Sequence, residues 1–305
     1  MKVLDLFAGC GGFSHGLEQA GFKVVGFVEW WQPAIATFLN NHLEAKLIGT
    51  DITKISDETV TQYKDKVDII VGGPPCQGFS MCGDRNPNDT RNQLYKEFLR
   101  FVRIINPKTV VMENVPGLLS MDDGNNRKVI DRILHDFIEL GYMVSYKVLT
   151  ASNYGVAQNR RRLIIIGHKE DVFPRTNGEK KTVIEAITDL PDGINGHVLF
   201  ETRKETIAKF KNLKQGERIS NKFNFSRQRL YADKPSKTVT TNPMFIHPFE
   251  DRFLTPRELA RLQSFPDEFT FCGSKSSMVK QIGNAVPPLL AQAIAEKLKE
   301  VVYYA

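Results

Sequence analysis

The sequence predicts an α/β protein: a doubly wound, mostly parallel sheet joined to a smaller, irregular, mostly β domain. Three observations predict it. Between Val3 and Ile166, short apolar runs alternate with amphipathic helical stretches, the pattern of successive βαβ units. Gly9, Glu29, Asp51, Cys76 and Glu113 each fall just after an apolar run, and in an open α/β sheet ligands bind outside the carboxyl ends of the strands. From Pro191 the texture changes: apolar periodicity fades while Gly, Asn, Lys and Arg increase.

The first strand is Val3 to Phe7. It runs into Ala8-Gly9-Cys10-Gly11-Gly12 and a helical pattern from Phe13 to Ala20, closed by Gly21. Glycines at such a turn let a ligand approach the backbone at a helix N-terminus. A dinucleotide fingerprint anchored on Gly9 and Gly11 needs a third glycine where Ser14 stands, and Gly16 is followed by Leu17 rather than the lysine of a phosphate-binding loop. A nucleoside cofactor without a pyrophosphate fits better. The second strand, Lys23 to Val28, ends in Glu29-Trp30. An acid there is placed to bond ribose hydroxyls, and Trp30 to stack on a base. The third strand, Leu47 to Ile52, carries Asp51, which could accept from an adenine amino group or simply form a turn.

A fourth strand, Val67 to Val71, leads into Gly72-Gly73-Pro74-Pro75-Cys76-Gln77-Gly78-Phe79-Ser80. Glycines and prolines can neither continue that strand nor start a helix, so Cys76 is expected on a stiff Pro-Pro support. A thiol presented this way suggests a nucleophile rather than a packed core cysteine. Met81 to Asn92 reads as a polar loop and Leu94 to Ile105 as an amphipathic helix. A fifth strand, Thr109 to Met112, ends in Glu113-Asn114-Val115. A helix from Arg127 to Leu140 and strands Val144–Leu149 and Arg162–Ile166 follow, with Gln158-Asn159-Arg160-Arg161-Arg162 between the strands. Arg160 and Arg162 alternate and are expected to share a face. Thr255-Pro256-Arg257-Glu258 is a capping box that opens a helix through Leu262. Gln281 to Pro288 is expected to precede a last helix from Leu289 to Val301.

The 305 residues are 41% hydrophobic and 25% charged, with a net charge of +6, an ordinary globular composition. No apolar run approaches the roughly 18 residues of a membrane-spanning helix, and the N-terminus is not a secretory signal. The four cysteines form no Cys-x-x-Cys pair, so neither zinc nor a disulfide framework is indicated and a cytoplasmic location is expected. Charge is unevenly spread. Residues 191–256 hold twelve Lys/Arg and seven Asp/Glu, a net +5, and the remainder is nearly neutral. That segment suits contact with phosphates.

In the same order along nearly the whole chain, Phe7-Ala8-Gly9-x-Gly11-Gly12, Glu29-Trp30, Asp51-Ile52, Pro74-Pro75-Cys76-Gln77, Glu113-Asn114-Val115, Gln158-x-Arg160-x-Arg162, Arg257-Glu258-Leu259 and Gly283-Asn284 occur. The chain thereby resembles the DNA (cytosine-5)-methyltransferases, typically those of bacterial restriction-modification systems. The resemblance implies the S-adenosylmethionine-dependent methyltransferase fold. It implies a catalytic and cofactor domain over residues 1–190, completed by 277–305, with a target recognition domain and hinge over 191–276. It implies methyl transfer from S-adenosylmethionine to C5 of a cytosine flipped out of a specific double-stranded DNA sequence, paired functionally with a restriction endonuclease, in a monomer without a metal. A branch of the family methylates tRNA; the broad basic segment favours DNA.

Residue roles follow from the resemblance and from what the chemistry needs. C5 of cytosine becomes nucleophilic only once a thiolate adds at C6, for which Cys76 is the candidate. Glu113 would protonate or bond N3, while Arg160 and Arg162 would hold the base and that carboxylate. Phe7, Gly9, Gly11, Glu29, Trp30, Asp51, Ile52, Pro75, Leu94 and Asn284 match positions that hold the cofactor, with Ala8, Gly12 and Ala285 beside them. Candidate DNA contacts are Gln77 and Ser80 near Cys76, Arg227 and Arg229 in the basic segment, and Thr238-Val239, which looks like the family's Thr-Leu/Val pair.

Overall fold

The computed structural model describes residues 1–75, 90–122, 127–168, 173–176, 178, 180–219 and 227–302. The expectations for Cys76, Gln77 and Ser80 lie outside these residues.

In chain order the first half comprises β1 (Lys2–Leu6), α1 (Gly12–Gln19), β2 (Lys23–Val28), α2 (Gln32–Asn41), β3 (Lys46–Gly49), a 3-10 turn (Ile52–Lys54), α3 (Asp57–Thr61), β4 (Ile69–Gly72), α4 (Thr90–Ile105) and β5 (Thr109–Asn114). Then come α5 (Val129–Glu139), β6 (Met143–Thr150), β7 (Arg161–His168), α6 (Val183–Ile187), α7 (Lys204–Phe210), α8 (Pro256–Leu262), α9 (Lys275–Asn284) and α10 (Pro288–Val302). The strands form one seven-stranded sheet in the order β3-β2-β1-β4-β5-β7-β6. All neighbours are parallel except β7, which runs antiparallel to both β5 and β6. The order reverses between β1 and β4, the switch point where doubly wound sheets bind ligands.

Both faces of the sheet are buried, and the two-residue period of a strand divides its side chains between them. Val3, Ile69, Val71 and Val111 pack with Phe13, Leu17, Leu290, Ile294 and Leu298 of α1 and α10. Leu4, Leu6, Ile70, Val110 and Met112 pack with Phe98, Phe101, Val102, Ile133 and Phe137 of α4 and α5. The last helix of the chain therefore lies against the first, and the N-terminal sheet is closed by C-terminal residues.

A third cluster joins Cys10 and Ala157 to Val183, Leu230, Val239, Leu259, Phe265, Phe269, Phe271, Val279 and Ile282. A smaller one holds Phe210, Ile246 and Phe253. Among the described residues of 191–256, the expected mostly β texture is present only as isolated bridges such as Arg229 with Ile246 and Ile246 with Phe253. Scattered backbone bonds, such as the Leu230 N–H to the Ile246 carbonyl and the Gly216 N–H to the Arg229 carbonyl, hold it together, and the Arg229 side chain adds bonds to three further carbonyls. The capping box at Thr255 forms as expected, with Thr255 and Glu258 each bonding the other's backbone N–H. The last helix follows Gln281 to Pro287 as expected, starting at Pro288, and Gln281 to Asn284 are also the last turn of α9. No helix among the described residues is long and apolar enough to cross a membrane.

Candidate active site

A cleft of about 750 Å³ opens at the carboxyl edge of the sheet, where β1, β2, β4 and β5 end. The turn after β1 forms its floor. Phe7 and Gly9 take left-handed backbone conformations, with φ of 60° and 57°. For Phe7 that conformation costs on the order of 1–2 kcal/mol, and a strained turn of this kind is typical of a ligand-binding edge. Gly9 and Ala8 line the cleft, and Cys10 closes the wall behind them. The Cys10 thiol is fully buried and burial pushes its pKa up to about 12, so it packs rather than reacts.

Glu29 is buried at the end of β2. Its Oε2 accepts from the Gly9 N–H at 2.8 Å, and its Oε1 from the N–H groups of Trp30 and Trp31 at 3.0 and 2.8 Å. Burial raises its pKa, an effect that these three donors partly offset. The carboxylate thus ties the β1 and β2 turns together while facing the cleft. Trp30 lines the cleft with 70% of its surface exposed, an open aromatic face for a planar ring. Asp51 caps the following 3-10 turn, accepting from the Thr53 N–H and hydroxyl. Those bonds hold its carboxyl below the ordinary aspartate range. Ile52, Pro75, Leu94, Asn284 and Ala285 complete the expected lining.

Gly11 and Gly12, expected beside the cofactor, are packed closely by neighbouring elements. Gly11 has φ 91°, and a Cβ there would collide with the ring of His42. A Cβ on Gly12 would lie 2.5 Å from the Val286 carbonyl oxygen. Gly11 lets the start of α1 sit against the end of α2, and Gly12 lets it sit against the chain between α9 and α10.

Glu113 stands within β5, one residue before its end. Because β7 runs antiparallel, its first residues return to this same edge. Arg162 Nε lies 2.6 Å from Glu113 Oε1, with both side chains 14% exposed. Gly73 leaves room for the acid: a Cβ there would sit 3.1 Å from Glu113 Oε2. Next to it, buried Asn114 donates to the Pro74 carbonyl oxygen at 3.0 Å. Glu113 is therefore held by an arginine on one side, and its neighbour grips the Pro-Pro segment that leads into Cys76.

The comparisons with known proteins match this arrangement. The family model of the C-5 cytosine-specific DNA methylases matches residues 1–300. The chain belongs to the C-5 cytosine-specific DNA methylase family. It is 40% identical to the type II methyltransferase M1.HphI of Haemophilus parahaemolyticus, over 97% of this chain and 86% of that protein. It is 36% identical to M.DdeI of Desulfomicrobium norvegicum, over 98% and 88%. A crystal structure of a prophage-encoded Escherichia coli protein, described as a DNA modification methyltransferase, superposes with a TM-score of 0.85 at 29% identity, covering 99% of both chains. The chain is thus a DNA cytosine-5 methylase, and its family takes methyl groups from S-adenosylmethionine.

Several expected contacts of this methylase are placed differently by the structure. Arg160 precedes β7 rather than alternating with Arg162 along it. It is 1% exposed and donates to the Val239 and Gly283 carbonyl oxygens at 3.0 and 2.9 Å. It ties the sheet domain to the basic segment and to α9, and does not touch Glu113. Val239 is fully buried. Its N–H donates to Gln158 Oε1 at 2.7 Å, so both of its backbone groups are engaged. Arg229 also faces inward. It donates to the carbonyls of Phe210, His247 and Glu250 and pairs with Asp251 at 2.6 Å. Neither Val239 nor Arg229 is free to meet DNA in this conformation. Arg227 is partly exposed and lies 5.9 Å from the Phe253 ring centroid, and Thr238 is partly exposed beside Asn159.

Three positions that make contacts here were given no role by the sequence. Asn114 and Gln158 lie in recognisable motifs, but their bonds are long-range. Lys280, which lines the cleft, carries no local signal beyond its position four residues before Asn284.

Proposed function

We propose that this methylase transfers a methyl group from S-adenosylmethionine to C5 of a cytosine flipped out of a specific double-stranded DNA sequence. The reaction passes through a covalent bond between Cys76 and C6 of the base. The protein acts in the bacterial cytoplasm as the protective partner of a restriction endonuclease. Residues 1–190 with 277–305 make the catalytic unit, and residues 191–276 read the target.

The observation that carries this reading is the ion pair of Glu113 and Arg162 at the cleft, one residue from the Asn114 bond to Pro74. It supports a carboxylic acid and a thiol acting on opposite sides of one small ring. The thiolate of Cys76 adds to C6, the ring electrons move toward N3, and Glu113 supplies the proton or hydrogen bond that neutralises them. C5 is then the nucleophilic end of an enamine. Arg162 keeps Glu113 aimed at N3. Loss of the C5 proton and expulsion of Cys76 restore the aromatic ring.

The cleft's chemistry fits the methyl donor. Glu29 faces it with a carboxylate for ribose hydroxyls, Trp30 offers an uncovered ring, and Asp51 and Ile52 line it beside them. When bound, S-adenosylmethionine supplies an electrophilic methyl on its sulfonium. Base flipping costs roughly a few kcal/mol, which contacts from the basic segment would offset.

The test is to incubate a plasmid with the protein and S-adenosylmethionine and to map 5-methylcytosine by sequencing. Modification confined to one cytosine of one short motif is expected. Methylation of tRNA but not of the plasmid would overturn the DNA assignment.

A further inference from the structure

Glu29, Asp51 and Glu113 give the cleft three carboxylates, and Lys280 is the one lysine or arginine among the described residues that line it. Lys280 lies on α9 one turn before Asn284, so the two side chains are neighbours on one helix face, and both line the cleft. The ammonium sits 4.5 Å from the centroid of the Trp31 ring, a cation–π contact that fixes its direction. It makes no ion pair or hydrogen bond with a described residue. An exposed lysine ordinarily needs no explanation. One stacked on an indole at the lip of an acidic cleft, with its charge uncompensated, is placed to receive an anion.

The donor assigned to this cleft carries two cations, a sulfonium and an ammonium, and a single anion, its α-carboxylate. The acidic groups complement the hydroxyls, the adenine amino group and the cations. The carboxylate has no such partner among them and would be repelled. We propose that Lys280 is a specificity-determining residue that recognises the α-carboxylate of the methyl donor. This inference rests on the reading of the cleft as the S-adenosylmethionine site.

Calorimetric titration of the full chain with S-adenosylmethionine and with decarboxylated S-adenosylmethionine tests it. The two ligands share sulfonium, ammonium, ribose and adenine and differ only in the carboxylate. Wild type should bind the complete donor more tightly. Lys280→Met keeps an apolar stem on Trp31 and removes the charge. It should weaken S-adenosylmethionine roughly tenfold, the scale of one charge-assisted bond at an exposed site, and leave the decarboxylated ligand unchanged. Lys280→Arg should recover most of the loss. Equal affinities of Lys280→Met and wild type for S-adenosylmethionine, or an equal loss for both ligands, would overturn the proposal. Glu29→Gln separates the two levels, because the ribose is common to both ligands. If it weakens both while Lys280→Met leaves their ratio intact, the carboxylate assignment alone fails. If neither ligand responds to Glu29→Gln, the cleft is not the donor site and both readings fail.

Discussion

In the proposed chemistry Glu113 and Arg162 act as a pair, and the effects of replacing them should differ in size. Glu113→Gln keeps the shape of the acid and removes the proton, so kcat should fall by roughly 10²–10⁴. Arg162→Ala leaves the acid but frees its orientation, so kcat should fall less, with cofactor affinity little changed. The double variant should lose no more than Glu113→Gln alone, because orienting an absent acid contributes nothing. Single-turnover kinetics of the three variants measures this, and additive losses would contradict it. Asp5 supplies a second, independent prediction. It is fully buried at β1 and accepts from the Ser14 hydroxyl at 2.6 Å. Burial, with Glu29 and Glu18 adding negative charge, raises its pKa from 3.8 to about 7. The folded state therefore holds a proton that the unfolded chain releases from about pH 4 upward. Stability falls as pH rises between these values and levels off above pH 7, by up to about 4 kcal/mol. Asp5→Asn should remove that decline, so its melting temperature should gain on wild type between pH 5 and pH 8. Parallel melting profiles would refute the assignment.

Among the elements, α9 does the most to join the parts. Gly283 in its last turn lies against the backbone of Thr240 and Thr241, and a Cβ there would stand 2.5 Å from the Thr241 nitrogen. Replacing a helical glycine by alanine ordinarily stabilises by about 1 kcal/mol. Here the clash is with backbone, which cannot rotate aside, and overpacking costs roughly 1–3 kcal/mol. Gly283→Ala should therefore lower the urea midpoint, and an increase would show that the contact is loose. This helix was not legible in the sequence. Lys275 to Asn284 is mostly polar, and its glycine reads as a turn. Most strands were legible to within a residue or two because apolar runs and glycine-proline breaks are local signals; β2, Lys23–Val28, has the expected bounds, whereas β3 ends at Gly49 rather than Ile52, because Asp51 caps a 3-10 turn there. The direction of β7 was not, since pairing is set by partners far along the chain. That direction brings Arg162 to Glu113. Arg160 carries the same basic signal in the same motif, yet its partners are Val239 and Gly283, residues 79 and 123 positions away. The cleft could be anticipated because each strand end contributes one local motif; the buried ties around it could not.

At the scale of the molecule, one sheet edge gathers the cleft, the Glu113–Arg162 pair and the segment entering Cys76, while α10 packs on α1 to close the fold. The excess positive charge lies in residues 191–256, tied to that edge through Arg160 and Gln158. This division matches the work proposed: a basic surface engages a phosphate backbone, and an acidic cleft beside the Glu113–Arg162 pair serves the methyl donor and the extruded base. The central claim is the covalent bond from Cys76. Duplex DNA bearing 5-fluorocytosine at the target position tests it most directly, because fluorine cannot leave C5 as a cation and the intermediate cannot resolve. Mass spectrometry after incubation with S-adenosylmethionine should find a stoichiometric, donor-dependent adduct on the peptide containing Cys76, absent from Cys76→Ser. Normal methyl transfer by Cys76→Ser, or an adduct on another cysteine, would contradict the account.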